Sequence, residues 1–273
     1  MSETHATPGG RSAPGQMTPI VVAHAGGSGY APANTLGAYR RAHETYDEVW
    51  MEFDAQFAAD GELMAIHDDT LDRTTDASGY VADRTSQELK LCNAAAEWTG
   101  WGFEPIPRVR EILVEGRDAG WQLICEIKNI PGQRNFDPSG ERYAESLCAL
   151  LAETQFPLER LSMICFWAKT LDAIKPRNGD IALGFLSVPD LPGGLGLTAA
   201  ENLALCRERG YHVAAPRHST PDLNRELVDG AHADGLQVHV WTTNEPQEIE
   251  RVVGFDLDGI TSDYPDRVYE ALG

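Results

Sequence analysis

The sequence lacks what several function classes require. Its five cysteines, Cys92, Cys125, Cys148, Cys165 and Cys206, are odd in number and show no CxxC spacing, which favours a reduced cytoplasmic protein over a disulfide scaffold. Positive charge is scarce: 22 Lys and Arg stand against 42 Asp and Glu, a formal net charge of −20. That balance argues against nucleic acid or an anionic membrane surface as a partner. An anionic small molecule stays admissible, because a local cation reverses the field inside a pocket. No apolar run approaches the length of a membrane span. The first eighteen residues, rich in Gly, Pro, Ser and Thr, lack the apolar centre of a secretion signal and read as a disordered tail. The glycines at 26, 27 and 29 do not have the spacing of a nucleotide-binding GxGxxG loop.

Apolar residues are present at 42%, ample for a core, and 273 residues suit one large α/β domain as well as two smaller ones. The most informative stretch covers residues 49–75, VWMEFDAQFAADGELMAIHDDTLDRTT. In a strand, alternate residues share a face, so Trp50, Glu52 and Asp54 point one way and Val49, Met51 and Phe53 the other. An Asp-Gly turn at Asp60 and Gly61 returns the chain through 62–66 to His67. A turn centred near Asp60 sets His67 roughly opposite Glu52. Two carboxylates that close repel unless a cation or proton lies between them, and an oxygen-only set suits a hard ion, Mg²⁺ or Ca²⁺.

Ordered chain is expected from Pro19, with a buried strand ending at His24. Helices are expected over 35–44, 86–92, 108–117, 141–153, 199–209, 221–233 and 246–253. Further strands are expected over 122–128, 161–166, 181–186, 211–215, 236–241 and 259–261. With the strands ending at His24 and Asp54, and without the returning hairpin arm, eight parallel strands result. Alternation to that number predicts a (β/α)₈ TIM barrel over 19–273, with residues 68–103 as a small insertion after the second strand. An open doubly wound sheet is the competing fold. In a barrel the chemistry gathers at the carboxyl ends of the strands. His24, Glu52, Asp54, Glu126, Lys128, Phe166, Trp167, Arg217, His218 and Trp241 all fall there. Glu126 and Lys128, two apart, share a face; the first is a third oxygen donor and the second a cation for an anionic oxygen. The set suits metal-assisted phosphoryl chemistry with two histidines moving protons. Trp241, Phe166 and Trp167 supply an aromatic wall, and PDLPGGLG at 189–196 reads as a lid or a connector.

HAGGSGYAPANT at 24–35, EFD at 52–54, DGELMAIHDDTLDRTT at 60–75, EIK at 126–128, VWTTN at 240–244 and DGITSDYP at 258–265 follow one another in an order that resembles the glycerophosphodiester phosphodiesterase family. The resemblance implies a (β/α)₈ barrel with an insertion after the second strand. It implies hydrolysis of a glycerophosphodiester to glycerol 3-phosphate and an alcohol. Carried over by motif, Glu52, Asp54 and Glu126 hold one divalent cation, His24 and His67 form the acid–base pair, and Lys128 holds the phosphate. The implied route is attack by the substrate's own neighbouring hydroxyl, giving a cyclic phosphate that water opens. Two positions depart from the family pattern: Ala25 stands where Arg usually follows the first histidine, and Ala33 where Glu usually precedes Asn-Thr. A charge-assisted hydrogen bond contributes about 1.5–3 kcal/mol, so losing that Arg costs tenfold to a hundredfold in phosphate handling unless another cation, with Arg217 as the candidate, replaces it. Three functions are therefore carried forward: the family hydrolysis, a shifted phosphodiesterase or a lyase stopping at the cyclic phosphate, and a phosphoester binder without turnover. The small-molecule substrate is the one expected partner, with no nucleic acid and no membrane span; homo-oligomerisation stays open.

Overall fold

The computed structural model describes residues 18–190 and 196–273. The tail expected over 1–18 lies outside the described residues except for Thr18, and so does most of the 189–196 stretch. Among the described residues nine strands run in chain order: β1 Ile20–Ala23, β2 Trp50–Phe57, β3 Leu63–Ala65, β4 Gln122–Ile127, β5 Leu161–Cys165, β6 Ala182–Ser187, β7 Val213–Pro216, β8 Gln237–Val240 and β9 Gly259–Ser262. All pair in parallel around the ring except β3, which returns antiparallel on β2. Pairing of β1 with both β2 and β9 closes eight parallel strands into a barrel.

The alternation read from β2 sets its two faces. Val49, Met51, Phe53, Ala55 and Phe57 join the main core between barrel and helices. Trp50 turns inward against Val22 and Ile124 to fill the barrel interior. Around the barrel lie α1 Leu36–Thr45, α3 Val109–Ala119, α4 Glu141–Thr154, α5 Ala168–Ile174, α6 Ala199–Arg209, α7 Arg225–Ala233, α8 Pro246–Val253 and α9 Pro265–Leu272. Their starts follow capping chemistry: Thr35 and Thr198 accept from backbone amides three residues on, and α8 and α9 begin with proline. The helix expected from 221 begins only at Arg225. Asn224 caps it through Leu227 N, and Asp222 is engaged in accepting from the first amides of α6. Helices α5 and α9 were not expected.

Gly140 adopts a left-handed conformation at the start of α4, and a Cβ there would lie 2.5 Å from Thr170 Cα. Only glycine permits that approach of the two chain segments. Between β3 and α3 the chain builds a separate small core. Ile66, Leu71, Val81 and Leu89 pack with Met64 and Ile106 around the one-turn helix α2 Ser86–Leu89. No helix among the described residues is long and apolar enough to cross a membrane.

Candidate active site

Strands β2 and β4 bring three acids together. Glu52, Asp54 and Glu126 each offer an oxygen within 4.8 Å of the others, and all three are buried. Register does this: Asp54 sits beside Glu126 on the neighbouring strand, and Glu52 shares Asp54's face. Each carboxylate is held individually. Ala25 N donates to Glu52 Oε2 at 2.8 Å. Asn34 Nδ2 donates to Asp54 Oδ2 at 2.7 Å, and its Oδ1 accepts from Asp54 N at 3.0 Å. Lys128, 3% exposed, donates to Glu126 Oε1 at 2.6 Å and stands 3.3 Å from Asp54 Oδ1.

Burial first, and then the charge of Asp54, drive the Glu52 carboxyl far above its ordinary range. Burial also disfavours the Asp54 carboxylate, but Lys128, His67 and His24 outweigh it and hold its pKa below the usual value. Like charges about 4 Å apart repel by about 4 kcal/mol at an effective dielectric of 20, and Lys128 alone cannot balance three of them. Glu52 Oε1 and Asp54 Oδ1 are buried with no hydrogen-bond partner among the described residues. An unpaired buried acceptor costs about 1–3 kcal/mol, more when charged. An unpartnered Glu52 oxygen, and an Asp54 oxygen that only the Lys128 ammonium approaches at 3.3 Å, facing a third carboxylate, fit a hard divalent cation.

Two histidines flank the acids. His24 Nδ1 donates to Asp263 Oδ1 at 2.7 Å, and its Nε2 lies 3.9 Å from Glu52. Burial pulls the imidazolium down; the Asp263 bond and the charges of Glu52, Asp263 and Asp54 more than reverse this and raise His24 to about 9. Asp263 is pinned by Ser28 and by Asn244 Nδ2 at 2.6 Å. His67 Nδ1 donates to Asp68 Oδ1 at 2.8 Å, and Arg73 grips the same carboxylate with Nε at 2.6 Å and a terminal nitrogen at 2.8 Å. The bond from His67, then Arg73, holds the Asp68 carboxyl well below the carboxylate range. The two imidazoles are 6.3 Å apart, edge to face.

The β2–β3 register pairs Ala55 with Ala65, which places His67 across from Phe53 rather than Glu52, and β3 has ended two residues earlier. His67 reaches the site from a loop. Gln56, on the same face of β2 as Glu52 and Asp54, donates to Ile66 O and Asp68 O at 2.7 Å each and so pins the backbone on both sides of His67.

His24, Glu52, Glu126 and Trp241 line one pocket, together with Ile124, Ile164, Leu186, Ala215, His239, Thr242 and Thr261. Phe166 meets Trp241 edge-on at 5.5 Å. Trp167 does not join that wall: it packs on Phe136 and donates to Pro138 O. Arg217 lies on the rim, bonded to Ser219 Oγ at 2.7 Å and 3.8 Å from Asp190. His218 stands 3.8 Å from Glu248. Asp263, Asp68, Arg73, Asn34 and Gln56 carry no role that the sequence alone marks. The first four lie within the quoted motifs, so order of motifs marked the neighbourhood but not the partner each makes.

A closed barrel with acids, two histidines and a lysine at the carboxyl ends of its strands defines the class, a (β/α)₈-barrel enzyme. The sequence model of the Glycerophosphoryl diester phosphodiesterase family matches residues 24–267. The chain belongs to that family and is an enzyme of the phosphoric diester hydrolase type. It is similar to the glycerophosphodiester phosphodiesterase of Caldanaerobacter subterraneus subsp. tengcongensis, 30% identical over 255 residues, covering 92% of this chain and 96% of that one. The Bacillus altitudinis glycerophosphodiester phosphodiesterase is 28% identical over 256 residues, covering 90% and 95%. Among solved structures, the Oleispira antarctica phosphodiesterase in complex with the product sn-glycerol-3-phosphate superposes with a TM-score of 0.78 at 25% identity, covering 93% and 96%.

Proposed function

We propose that the pocket hydrolyses a glycerophosphodiester to glycerol 3-phosphate and an alcohol, with one divalent cation, Mg²⁺ or Ca²⁺. The observation that carries this reading is the buried Glu52–Asp54–Glu126 cluster, with a Glu52 and an Asp54 oxygen lacking a hydrogen-bond partner among the described residues, flanked by two histidines that each have their own carboxylate. Glu52, Asp54 and Glu126 would hold the cation, which when bound offsets charge on the phosphate and orients its oxygens. Lys128 holds a phosphate oxygen. Trp241 and Phe166 pack against the substrate, and Arg217 lends a cation from the rim. His24, kept protonated by Asp263, is the proton donor to the leaving alcohol. His67, fixed through Nδ1 by Asp68, takes the proton of the neighbouring hydroxyl as its oxygen forms the new P–O bond and the ester P–O bond breaks. Water then opens the cyclic phosphate with the two proton transfers reversed. The five free cysteines support a cytoplasmic setting.

Ala25 favours a second reading. Its backbone amide serves Glu52, but its methyl offers no cation where the family has Arg, and weakened phosphate handling favours a lyase that stops at the cyclic product. One experiment separates the two. Turnover of glycerophosphocholine and glycerophosphoethanolamine is measured with Mg²⁺, Ca²⁺ or EDTA, following glycerol 3-phosphate by coupled assay and cyclic phosphate by ³¹P NMR. Hydrolysis predicts cation-dependent glycerol 3-phosphate that His24→Ala abolishes. Accumulating cyclic phosphate supports the lyase, and cation-independent release or none sinks the proposed chemistry.

A further inference from the structure

One imidazole in the pocket has no part in the reaction above. Val238 and Val240 of β8 face the helices in the main core, so His239 between them faces the barrel axis, one layer deeper than Trp241. The imidazole is 6% exposed and borders the pocket. Its room is built in. Gly259 is its register partner on β9, and a Cβ on that glycine would stand 2.8 Å from the ring Cγ and Nδ1.

Nε2 of His239 is buried and has no hydrogen-bond partner among the described residues. The pocket it borders is lined by the apolar Ile124, Ile164, Leu186 and Ala215 as well as by Thr242, Thr261 and the charged site residues. Burial lowers the His239 pKa to about 4 against the weaker pull of Asp258. Asp258 is itself engaged with His232 at 2.8 Å and with Val238 N at 2.7 Å. The ring is therefore neutral. A neutral ring nitrogen is met by a hydroxyl in either tautomer, because a hydroxyl both donates and accepts. An anion could be met only in the Nε2–H tautomer and would itself have to be desolvated in this buried setting, which burial opposes.

We propose that His239 is a specificity-determining residue whose Nε2 takes the terminal hydroxyl of the substrate's glycerol arm. This rests on the glycerophosphodiester reading of the pocket. The neighbouring hydroxyl is consumed as nucleophile, so the terminal one is free to be read by the pocket floor. The consequence is discrimination against a substrate lacking that single oxygen.

The test compares kcat/KM for glycerophosphoethanolamine with that for the same headgroup on propane-1,2-diol phosphate, which keeps the attacking hydroxyl and loses the terminal one. The wild-type enzyme is expected to favour glycerol by about tenfold to a hundredfold, the span of one unmade buried hydrogen bond. His239→Leu is expected to lose activity on the glycerol substrate alone, bringing the preference to within about threefold. His239→Gln, which keeps a polar end, retains part of it. An unchanged preference in His239→Leu overturns the proposal, as does an equal loss on both substrates, which would mark a packing role. If the wild type turns over neither substrate, the glycerophosphodiester reading fails and this proposal with it; turnover with an unaltered preference sinks the proposal alone.

Discussion

Asp263 and Asp68 have matching relations to the two histidines, yet they differ in reach. Asp68 is adjacent to His67 in sequence, while Asp263 meets His24 across the barrel seam. Asp263 raises the pKa of His24, so the imidazolium persists to about 9. Removing that carboxylate must lower it. In Asp263→Asn the His24 titration, followed by NMR in chelator-treated protein, is expected to fall below that value. The alkaline limb of kcat/KM should shift to lower pH, with at least a tenfold loss of kcat, in the range of general acid catalysis. An unmoved alkaline limb would remove His24 as the proton donor. At this scale the sequence was least explicit. It marked His24, Glu52, Asp54, His67, Glu126 and Lys128 through pairs two apart and through motif order. It could not show that Asn34 would bond Asp54, because that contact depends on a loop in which Asn34 takes a left-handed backbone (φ 60°).

At the level of elements, β2 organises the site. Its inward face carries Glu52, Asp54 and Gln56 in succession, two acids for the cation cluster and an amide that ties down the His67 loop. Gln56→Met should leave the carboxylates in place while releasing residues 66–68. KM is expected to change less than about threefold and kcat to fall by tenfold or more, since a reacting group displaced by about 1 Å costs on that order. Equal loss in the isolated cation affinity would instead mean that β2 itself had shifted. The eight-strand count was legible because each strand is short, apolar and followed by helical spacing. Strand ends were less so: β2 runs three residues past Asp54, because Ala55, Gln56 and Phe57 pair with the returning arm. The pocket wall differs from the sequence expectation at Trp167. Phe166 and Trp167 are adjacent, and alternation sends them to opposite sides, the first to Trp241 and the second to Phe136.

Over the whole molecule, charge connects stability to the proposed cation. A net charge of −20 and three buried acids disfavour compactness. A ligand that binds only the folded state at a hundred times its Kd stabilises by about 2.7 kcal/mol, worth several degrees of Tm for a chain this size. Excess Mg²⁺ or Ca²⁺ is expected to raise Tm by that much in calorimetry. In Asp54→Asn the response should shrink by more than half. Glu52→Gln, which relieves repulsion, should raise the cation-free Tm while blunting the same response. An equal rise in all three proteins would place the effect on surface charge rather than on the cluster.

The barrel closes by pairing β1 with β9, and the same seam carries the His24–Asp263 bond between residues 239 positions apart in the chain. During synthesis, therefore, the nascent chain holds its acids, His67 and Lys128 long before Asp263 can reach His24. With His24 as the proposed proton donor, the proposed activity would wait until β9 has locked beside β1, so catalytic competence would report completed closure.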